Sequence, residues 1–224
     1  MLYIIPTPVG NLEDMTLRGI RLLKEAQLIL CEDTRQTKKL LDHFQIHRPL
    51  QAYHKFNERM SVSSVTEQLR AGQTIAMVSD GGTPGISDPG HILIAACLAE
   101  GIEVQCLPGA TAFVPALINS GFPTDAFTFL GFPPHKKGRE TFFRNLAQEE
   151  RVCIFYESPF RLQKALEQLS HYVGPERLVS VSREISKLYE ENRRGTITEL
   201  LQYYTIHEPR GEIVVVVHPA AAEK

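Results

Sequence analysis

Glycine, proline and small polar residues follow three apolar segments of this chain in a pattern typical of ligand-binding loops. The longest loop, residues 78–90, contains four glycines and two prolines. Glycine lets a backbone approach a ligand without a Cβ clash, while Asp88 and Pro89 suit the cap and first turn of a following helix. Residues 6–11 and 108–111 form two similar loops. The three loops together predict one neutral or weakly charged ligand at the carboxyl edge of a sheet, held largely by backbone groups.

Two charged clusters are further candidates for chemistry. In the first, Cys-Glu-Asp-Thr-Arg at 31–35, Asp33 or Thr34 suits the N-cap of the next helix. Arg35 in a first turn opposes the helix dipole, so an anionic partner would explain it. The second cluster, at 182–190, mixes both charges, and a solvated face with internal ion pairs is its alternative explanation.

Several function classes have no support in the sequence. No GxGxxG motif follows the first apolar segment and no GxxxxGK[ST] motif occurs, which argues against a dinucleotide-binding Rossmann enzyme and a P-loop NTPase. The histidines lack metal-ligand spacing and the four cysteines form no CxxC pair, so we expect no metal site and buried free thiols in a reducing compartment.

The net charge and the hydropathy of the chain argue against two further classes, indiscriminate nucleic-acid binders and membrane-spanning proteins. The chain has 24 Lys+Arg and 26 Asp+Glu in 224 residues, a net charge of −2 that argues against indiscriminate nucleic-acid binding. Basic residues nevertheless gather at Arg35 with Lys38 and Lys39, at 136–139 and at 193–194, and these groups would form a phosphate-binding patch if they faced one cleft. No apolar run approaches the roughly 20 residues of a membrane span, and no signal peptide is visible.

Apolar runs alternate with helix-like stretches, which predicts an α/β fold with mostly parallel sheets. The expected strands are residues 2–5, 28–31, 75–79, 104–107, 127–130, 152–156, 178–182 and 213–218. The expected helices are residues 16–26, 34–44, 62–71, 89–100, 138–147, 160–172 and 197–204. A stretch rich in Gly, Pro and polar residues at 119–137 suggests two α/β domains, 1–118 and 119–224, with a ligand cleft between them.

The motifs, taken in order, resemble the bacterial small-subunit (16S) ribosomal RNA (cytidine-2′-O)-methyltransferase family, within the tetrapyrrole methylases. The resemblance rests on residues 2–18, which open with Leu-Tyr-Ile-Ile-Pro-Thr-Pro-Val-Gly-Asn, on Cys-Glu-Asp-Thr-Arg at 31–35, and on Val-Ser-Asp-Gly-Gly-Thr-Pro-Gly-Ile-Ser-Asp-Pro-Gly at 78–90. It continues through Leu-Pro-Gly-Ala at 107–110, Phe-Tyr-Glu-Ser-Pro-Phe-Arg at 155–161, Arg-Glu-Ile-Ser-Lys at 183–187 and Arg-Gly-Glu at 210–212. Gly81 stands where this family usually carries Ala.

The resemblance implies a two-domain tetrapyrrole methylase fold with S-adenosylmethionine in the cleft, acting on small-subunit rRNA in the cytoplasm as a homodimer. The implied cofactor contacts are Val9, Asp80, Gly82, Thr83, Ile86, Ala110, Thr111 and Tyr156. The candidate catalytic groups near this cleft are Asp33, Arg35, Glu184 and Lys187; we expect Asp33 or Glu184 to accept the proton of a ribose 2′-hydroxyl and the two cations to hold phosphate. A tetrapyrrole methyltransferase and a binding module that has lost its cofactor remain the alternatives.

Overall fold

The computed structural model describes residues 1–219 and divides the chain into two compact units, Met1–Thr111 and Ala112–Lys224. Each unit contains one five-stranded sheet, and the α/β class is therefore confirmed. From composition we expected the division at 118–119. The structure divides the chain seven residues earlier because the helix Phe113–Ser120 packs against strands of the second sheet.

The first unit is a parallel sheet in the order β3-β2-β4-β1-β5. Its strands are β1 (Leu2–Ile4), β2 (Leu28–Cys31), β3 (Leu50–Ala52), β4 (Ile75–Met77) and β5 (Val104–Cys106). Its helices are α1 (Leu17–Glu25), α2 (Thr34–His43), α3 (Glu58–Arg70) and α4 (His91–Ala99). The strands β1, β2 and β4 pair in register, with Leu2 and Leu28 both opposite Ile75.

Helices cover both faces of this sheet, which explains why its strands are continuous apolar runs. In β2, Ile29 and Cys31 pack into one core with residues of α1 and α2. Leu28 and Leu30 point the other way, into a second core with residues of α3 and α4. A parallel sheet brings the carboxyl ends of its strands to one edge, so the loops that follow β1, β4 and β5 share that edge.

The second unit is a mixed sheet in the order β6-β7-β10-β8-β9. Its strands are β6 (Phe127–Phe129), β7 (Val152–Glu157), β8 (Leu178–Arg183), β9 (Glu191–Thr196) and β10 (Ile213–Val217). Its helices are α5 (Phe113–Ser120), α6 (Arg139–Ala147), α7 (Leu162–Val173) and α8 (Ile197–Ile206). Only β6 and β7 pair in parallel, so the expectation of mostly parallel sheets is wrong for this unit.

The sequence patterns missed two strands and gave no bounds for the helix α5, and two predicted helix starts are wrong. α3 begins at Glu58 rather than at residue 62. β3 is three residues long and β9 is Glu-Asn-Arg-Arg-Gly-Thr; both are edge strands, and neither has an apolar run of its own. α4 begins at His91 after Gly90, which has φ +145°, so Asp88 does not occupy the cap position and Pro89 precedes the helix. Over residues 1–219 no helix is long and apolar enough to cross a membrane.

Candidate active site

The loops after β1 and β4 are joined by a short antiparallel bridge. The backbone N–H of Thr7 donates to the carbonyl of Gly82 over 2.9 Å, and Gly82 N–H donates back to the Thr7 carbonyl over 2.8 Å. The buried hydroxyl of Thr7 donates to the Ser79 carbonyl over 2.9 Å, and Ser79 Oγ donates to the Gly82 carbonyl over 3.0 Å. Gly82 has φ +92°, a conformation that favours glycine. The two loops therefore form one connected piece of backbone.

The loop after β5 joins the same group through Thr83. Its hydroxyl donates to the carbonyl of Ala110 over 3.0 Å and lies 2.7 Å from the Thr111 hydroxyl. Ile86 N–H donates to the Thr83 carbonyl over 3.2 Å, which closes a turn in the loop after β4. A Cβ atom on Gly82 would lie 3.6 Å from Val9 Cγ1, which places Val9 against this loop. The structure thus brings together all the predicted cofactor contacts of the first unit except Asp80, which lies toward the next strand.

The loop after β5 also approaches the loop after β1 very closely. A Cβ atom on Gly109 would lie 2.7 Å from Pro6 Cβ and 2.9 Å from Pro6 Cγ, distances that real side chains do not adopt. Glycine is therefore required at position 109 for this approach. Gly109 belongs to the loop 108–111 that the sequence pattern indicated, but the sequence could not show that Pro6 is the neighbour that excludes a side chain there.

Asp33, Arg35 and Asp80 meet at the ends of the neighbouring strands β2 and β4. Asp33 caps α2, accepting from the Arg35 backbone N–H over 2.8 Å. It also accepts from Arg35 Nε over 3.1 Å and from Arg35 Nη2 over 2.7 Å. The Asp33 N–H donates to Asp80 Oδ1 over 3.2 Å. The anionic partner that Arg35 needs in a first turn is therefore Asp33 itself.

The acids at this edge differ in proton affinity. Hydrogen bonds from the Arg35 side chain and backbone lower the pKa of Asp33 to about 2. Partial burial raises the pKa of Asp80, and the nearby charge of Asp33 adds to the rise. Burial also raises the pKa of Glu32, with a further rise from the charge of Asp80. These carboxyl groups form a negative edge beside the three loops, which suits a ligand that carries positive charge.

Tyr156, the predicted cofactor contact of the second unit, lies at the end of β7 among aromatic rings. Its ring centroid is 5.1 Å from that of Phe129 and 5.3 Å from that of Phe132. Its N–H donates to the Gly131 carbonyl over 2.9 Å, which holds the loop after β6 against β7.

Glu184 and Lys187 form a compact cluster with Glu212 in the second unit. Lys187 Nζ donates to Glu184 Oε1 over 2.8 Å and to Glu212 Oε2 over 3.0 Å. The N–H of Glu212 donates to Glu184 Oε1 over 3.0 Å, and Glu184 has φ +52°. Next to it, Gly211 has φ +81°, and a Cβ atom there would overlap the Glu184 carboxylate.

The charges of this cluster stabilise one another. The hydrogen bond from Lys187 lowers the pKa of Glu184 even though partial burial raises it. Burial lowers the pKa of Lys187, but hydrogen bonds to Glu184 and Glu212 more than offset it, so the pKa lies above its usual value. At neutral pH both groups are charged.

The basic groups at 136–139 and 193–194 are only partly available for phosphate. Arg139 is buried: its Nη2 donates to the buried Glu157 over 2.9 Å, so its expected role in a phosphate-binding patch is wrong. Arg193 pairs with Glu191 and lies 3.6 Å over the Tyr203 ring, and Arg194 donates to the Asn119 carbonyl. Lys136 and Lys137 are exposed.

The cysteines are free, and the described residues contain no metal-binding cluster. All four cysteines are free thiols; Cys31, Cys97 and Cys153 are buried as expected, whereas Cys106 is exposed. Within residues 1–219, no three His, Cys, Asp or Glu side chains converge as a metal site would require.

Comparison with known proteins identifies the family. A family model described as Tetrapyrrole (Corrin/Porphyrin) Methylases matches residues 1–201. The protein named ribosomal RNA small subunit methyltransferase I from Synechocystis sp. is 47% identical over 224 residues, covering 100% of this chain and 80% of the relative. The protein of the same name from Thermotoga maritima is 42% identical over 215 residues, covering 96% of each chain.

The chain belongs to the tetrapyrrole methylase family, in the group named ribosomal RNA small subunit methyltransferase I.

Solved structures support the fold of this tetrapyrrole methylase. Cobalt precorrin-4 methyltransferase CbiF matches with a TM-score of 0.71 at 18% identity, covering 97% of this chain and 94% of that one. Uroporphyrin-III C-methyl transferase from Thermus thermophilus, solved as a complex with S-adenyl homocysteine, matches with a TM-score of 0.68 at 20% identity, covering 97% and 96%. At these identities the likeness shows the tetrapyrrole methylase fold alone.

Sequence reasoning missed three residues that organise the loops of this tetrapyrrole methylase. Thr7 and Ser79 are buried and tie the first two loops together, and Glu212 completes the Glu184–Lys187 cluster. The signal for Thr7 was a polar residue between two prolines directly after a strand. Glu212 belongs to the Arg-Gly-Glu motif at 210–212, but its role did not show in the sequence because its partners lie 25 and 28 residues away in the chain.

Proposed function

We propose that this protein transfers a methyl group from S-adenosylmethionine to the 2′-hydroxyl of a cytidine in small-subunit ribosomal RNA. The observation that carries the proposal is the 40–47% identity, over 96–100% of the chain, to proteins named ribosomal RNA small subunit methyltransferase I. The choice of cytidine and of the 2′-hydroxyl rests on the family resemblance. The precorrin and uroporphyrin enzymes resemble the chain at only 18–21% identity, so they do not favour a tetrapyrrole substrate.

The residues of the first unit fit the proposed cofactor. When bound, S-adenosylmethionine supplies a methyl group on a positively charged sulfur. Gly82, Thr83 and Ala110 offer small side chains and backbone groups at one place, and a Cβ atom on Gly85 would meet nothing within 4 Å, so the loop leaves open space. Asp80 adds a carboxylate that would favour the positive charge. We propose Val9, Ile86 and Thr111 as further contacts, and Tyr156 on the resemblance alone.

The proposed catalytic cluster has to orient the ribose and accept a proton. A 2′-hydroxyl is a poor nucleophile, so orientation carries much of the rate and a general base adds to it. Asp33 and Glu184 are both ionised at neutral pH, and we propose one of them as the acceptor of the hydroxyl proton. Arg35, whose side chain is 86% exposed, is available for an RNA phosphate while it orients Asp33. Lys187 orients Glu184 in the same way.

The RNA would reach the enzyme through exposed cations, since the chain as a whole has a net charge of −2. Lys136 and Lys137 lie in the loop between β6 and α6, which the buried Arg139–Glu157 pair anchors at one end. We propose that these two lysines contact the phosphate backbone. A homodimer would double this cationic footprint, and a ribosomal RNA substrate places the protein in the cytoplasm.

The deciding experiment compares small-subunit rRNA from cells with and without the protein. A 2′-O-methyl group protects the following phosphodiester bond from alkaline cleavage, so one protected cytidine should be lost in the deletion strain. Purified protein with labelled S-adenosylmethionine should restore that position. Unchanged protection in the deletion strain would refute the RNA function. Methylation of a porphyrinoid instead would favour the tetrapyrrole alternative, and calorimetry without cofactor binding would indicate a module that has lost its cofactor.

A further inference from the structure

Phe56 is an almost fully exposed aromatic residue at the edge of the sheet that carries the candidate active site. Its relative exposure is 91%, and its only ring contact in the described part of the chain is an edge-on approach to His54 at 6.1 Å. It lies in the connection between β3 and α3. Phe160 in the second unit is 94% exposed, so exposure by itself does not single out Phe56; its cationic neighbours and its place at the strand ends do.

The turn that presents Phe56 is tightly held. The His54 N–H donates to Asn57 Oδ1 over 2.8 Å, and Asn57 Nδ2 donates to the Ala52 carbonyl over 2.9 Å. The backbone N–H groups of Asn57 and Glu58 both donate to the His54 carbonyl over 2.9 Å. The ring is therefore displayed by an ordered turn rather than by a loose loop, and ordering it costs little when a ligand binds.

The turn lies at the carboxyl edge of the parallel sheet, as the cofactor loops do. The Tyr53 N–H donates to the Cys31 carbonyl over 2.8 Å, which joins the end of β3 to the end of β2. Asp33 and Arg35 follow directly after β2. The Phe56 turn is thus the immediate neighbour of the strand end that carries half of the proposed catalytic cluster.

The exposed charged residues of the turn itself are positive, while the half-buried Glu32 at the end of β2 lies close enough to His54 to interact with it electrostatically. Lys55 and Arg59 flank Phe56, are exposed, and have no carboxylate within ion-pair distance in the part of the chain that the structure describes. Glu58, the acid in the same stretch, is turned inward and is only 9% exposed. Met60 adds an apolar side chain that is 79% exposed. We refer to Lys55, Phe56, Arg59 and Met60 as the Phe56 surface.

We propose that the Phe56 surface binds an unpaired nucleotide of the RNA beside the methylated residue, with Phe56 stacking on its base. Aromatic rings flanked by cations are the usual way in which proteins hold single-stranded RNA, since every base has a face to stack and every nucleotide a phosphate. This inference rests on the proposed function and extends it: it assigns an RNA contact to a segment outside the cofactor loops and the catalytic cluster.

The chain contains no tryptophan, which allows a direct test. In the variant Phe56→Trp, the fluorescence of the new side chain should be quenched when unmethylated small-subunit rRNA from the deletion strain is added. The matched control is Leu98→Trp. Leu98 is 61% exposed at the end of α4, which leads into the start of β5 and so lies at the opposite edge of the sheet. Equal quenching of both variants would overturn the proposal.

Affinity measurements complete the test. Phe56→Ala should weaken RNA binding by about 10- to 100-fold, Phe56→Tyr should keep it, and Leu98→Ala should leave it unchanged. Lys55→Gln and Arg59→Gln should each lower the salt dependence of log K by about 0.7. The affinity for S-adenosylmethionine should be unaltered in all of them.

The outcomes separate this inference from the proposed function. Wild-type protein that methylates rRNA while Phe56→Ala binds RNA normally would overturn the stacking role alone. Wild-type protein that neither binds nor methylates rRNA would overturn both. A change of oligomeric state in Phe56→Ala, with RNA affinity retained, would identify the Phe56 surface as a contact between copies of the chain and would also overturn the proposal.

Discussion

At the scale of single residues, the two candidate bases share one electrostatic arrangement. Asp33 and Glu184 each receive hydrogen bonds from a cation close in the chain, Arg35 and Lys187, and both have lowered pKa values. A carboxylate in this state is always ionised near neutral pH but is a weak base. Its contribution therefore combines orientation of the hydroxyl with acceptance of the proton late in the reaction.

Removing the true base should slow the chemical step and leave the fold intact. We expect Glu184→Gln or Asp33→Asn to lower the single-turnover rate of methyl transfer by about 10²–10⁴-fold, with normal cofactor affinity. If the Glu184–Lys187 pair were purely structural, Glu184→Gln would instead change stability by about 0–1 kcal/mol with little effect on the rate. Near wild-type rates in both variants would show that neither carboxylate is the base.

The pH profile offers an independent test. The pKa of Glu184 lies below its ordinary value of 4.5 and that of Asp33 is about 2, so the ionised base persists as the pH falls. The midpoint of any acid limb in the rate profile should therefore lie below pH 4.5. Asp80 and Glu32 have raised pKa values, and an acid limb at higher pH would point to one of them.

Thr83 joins the loop after β4 to the loop after β5, two of the three loops that we propose for the cofactor. Thr83→Arg would introduce a bulky cation where the loops after β4 and β5 meet and remove the hydrogen bond to Ala110. We expect calorimetry to show no S-adenosylmethionine binding to this variant while its circular dichroism remains that of a folded protein. Thr83→Ser, which keeps the hydroxyl, should retain binding. Unchanged affinity in a folded Thr83→Arg protein would contradict this placement of the cofactor.

At the scale of elements, strand ends determine where the loops can lie, and glycine permits their closest approach. Gly109→Ala would place a Cβ atom 2.7 Å from Pro6, so the loop after β5 must move. We expect a loss of about 1–3 kcal/mol in the free energy of unfolding, as for other overpacked sites, and weaker cofactor binding.

The control for this variant lies in the neighbouring loop. In Gly81→Ala the new Cβ atom would meet Pro8 O at 3.4 Å and Val9 Cα at 3.7 Å, which are ordinary contacts. Denaturant unfolding should therefore show little change for Gly81→Ala and a clear loss for Gly109→Ala. Equal stability of the two variants would refute the close approach of the loops.

The loop between β6 and α6 carries two exposed lysines and is anchored by a buried ion pair, and separate variants test these two features. Replacing Lys136 and Lys137 together with Gln should reduce the slope of log K for RNA against log salt by about 1.4, because each phosphate contact contributes about 0.7. Cofactor affinity should not change. An unaltered salt slope would leave the loop without a role in RNA binding.

Glu157→Gln tests the anchor of the same loop: it breaks the buried ion pair with Arg139 and should cost about 3–5 kcal/mol of stability.

At the scale of the whole molecule, the net charge of −2 limits how strongly one chain can attract RNA. Two copies would present two sets of exposed cations to one ribosomal RNA. We expect light scattering at micromolar concentration to give a particle of about twice the 25.2 kDa of a single chain. A particle with the mass of one chain would show that the protein meets its substrate as a monomer.

The α/β class, the family and the strands whose two faces are buried were all predictable from the amino-acid sequence. Continuous apolar runs such as residues 28–31 are recognisable because each side chain has a core to enter. The Gly/Pro loops after β1, β4 and β5 were recognisable as well, because glycine and proline restrict the backbone locally. These features depend on neighbours in the chain or on hydrophobic burial, and both are visible as sequence patterns.

Features that depend on partners far away in the chain became visible only in the folded protein. The polar strand β9 exists because β8 offers it a ladder of backbone hydrogen bonds, and the second sheet is mostly antiparallel because of how its strands are connected. Arg139 looked like a surface cation but is buried, since Glu157 neutralises it 18 residues further along the chain. Glu212 joins Glu184 and Lys187 for the same reason. Hydrogen bonds and ion pairs between residues far apart in the chain leave no periodic pattern, so only the folded structure reveals them.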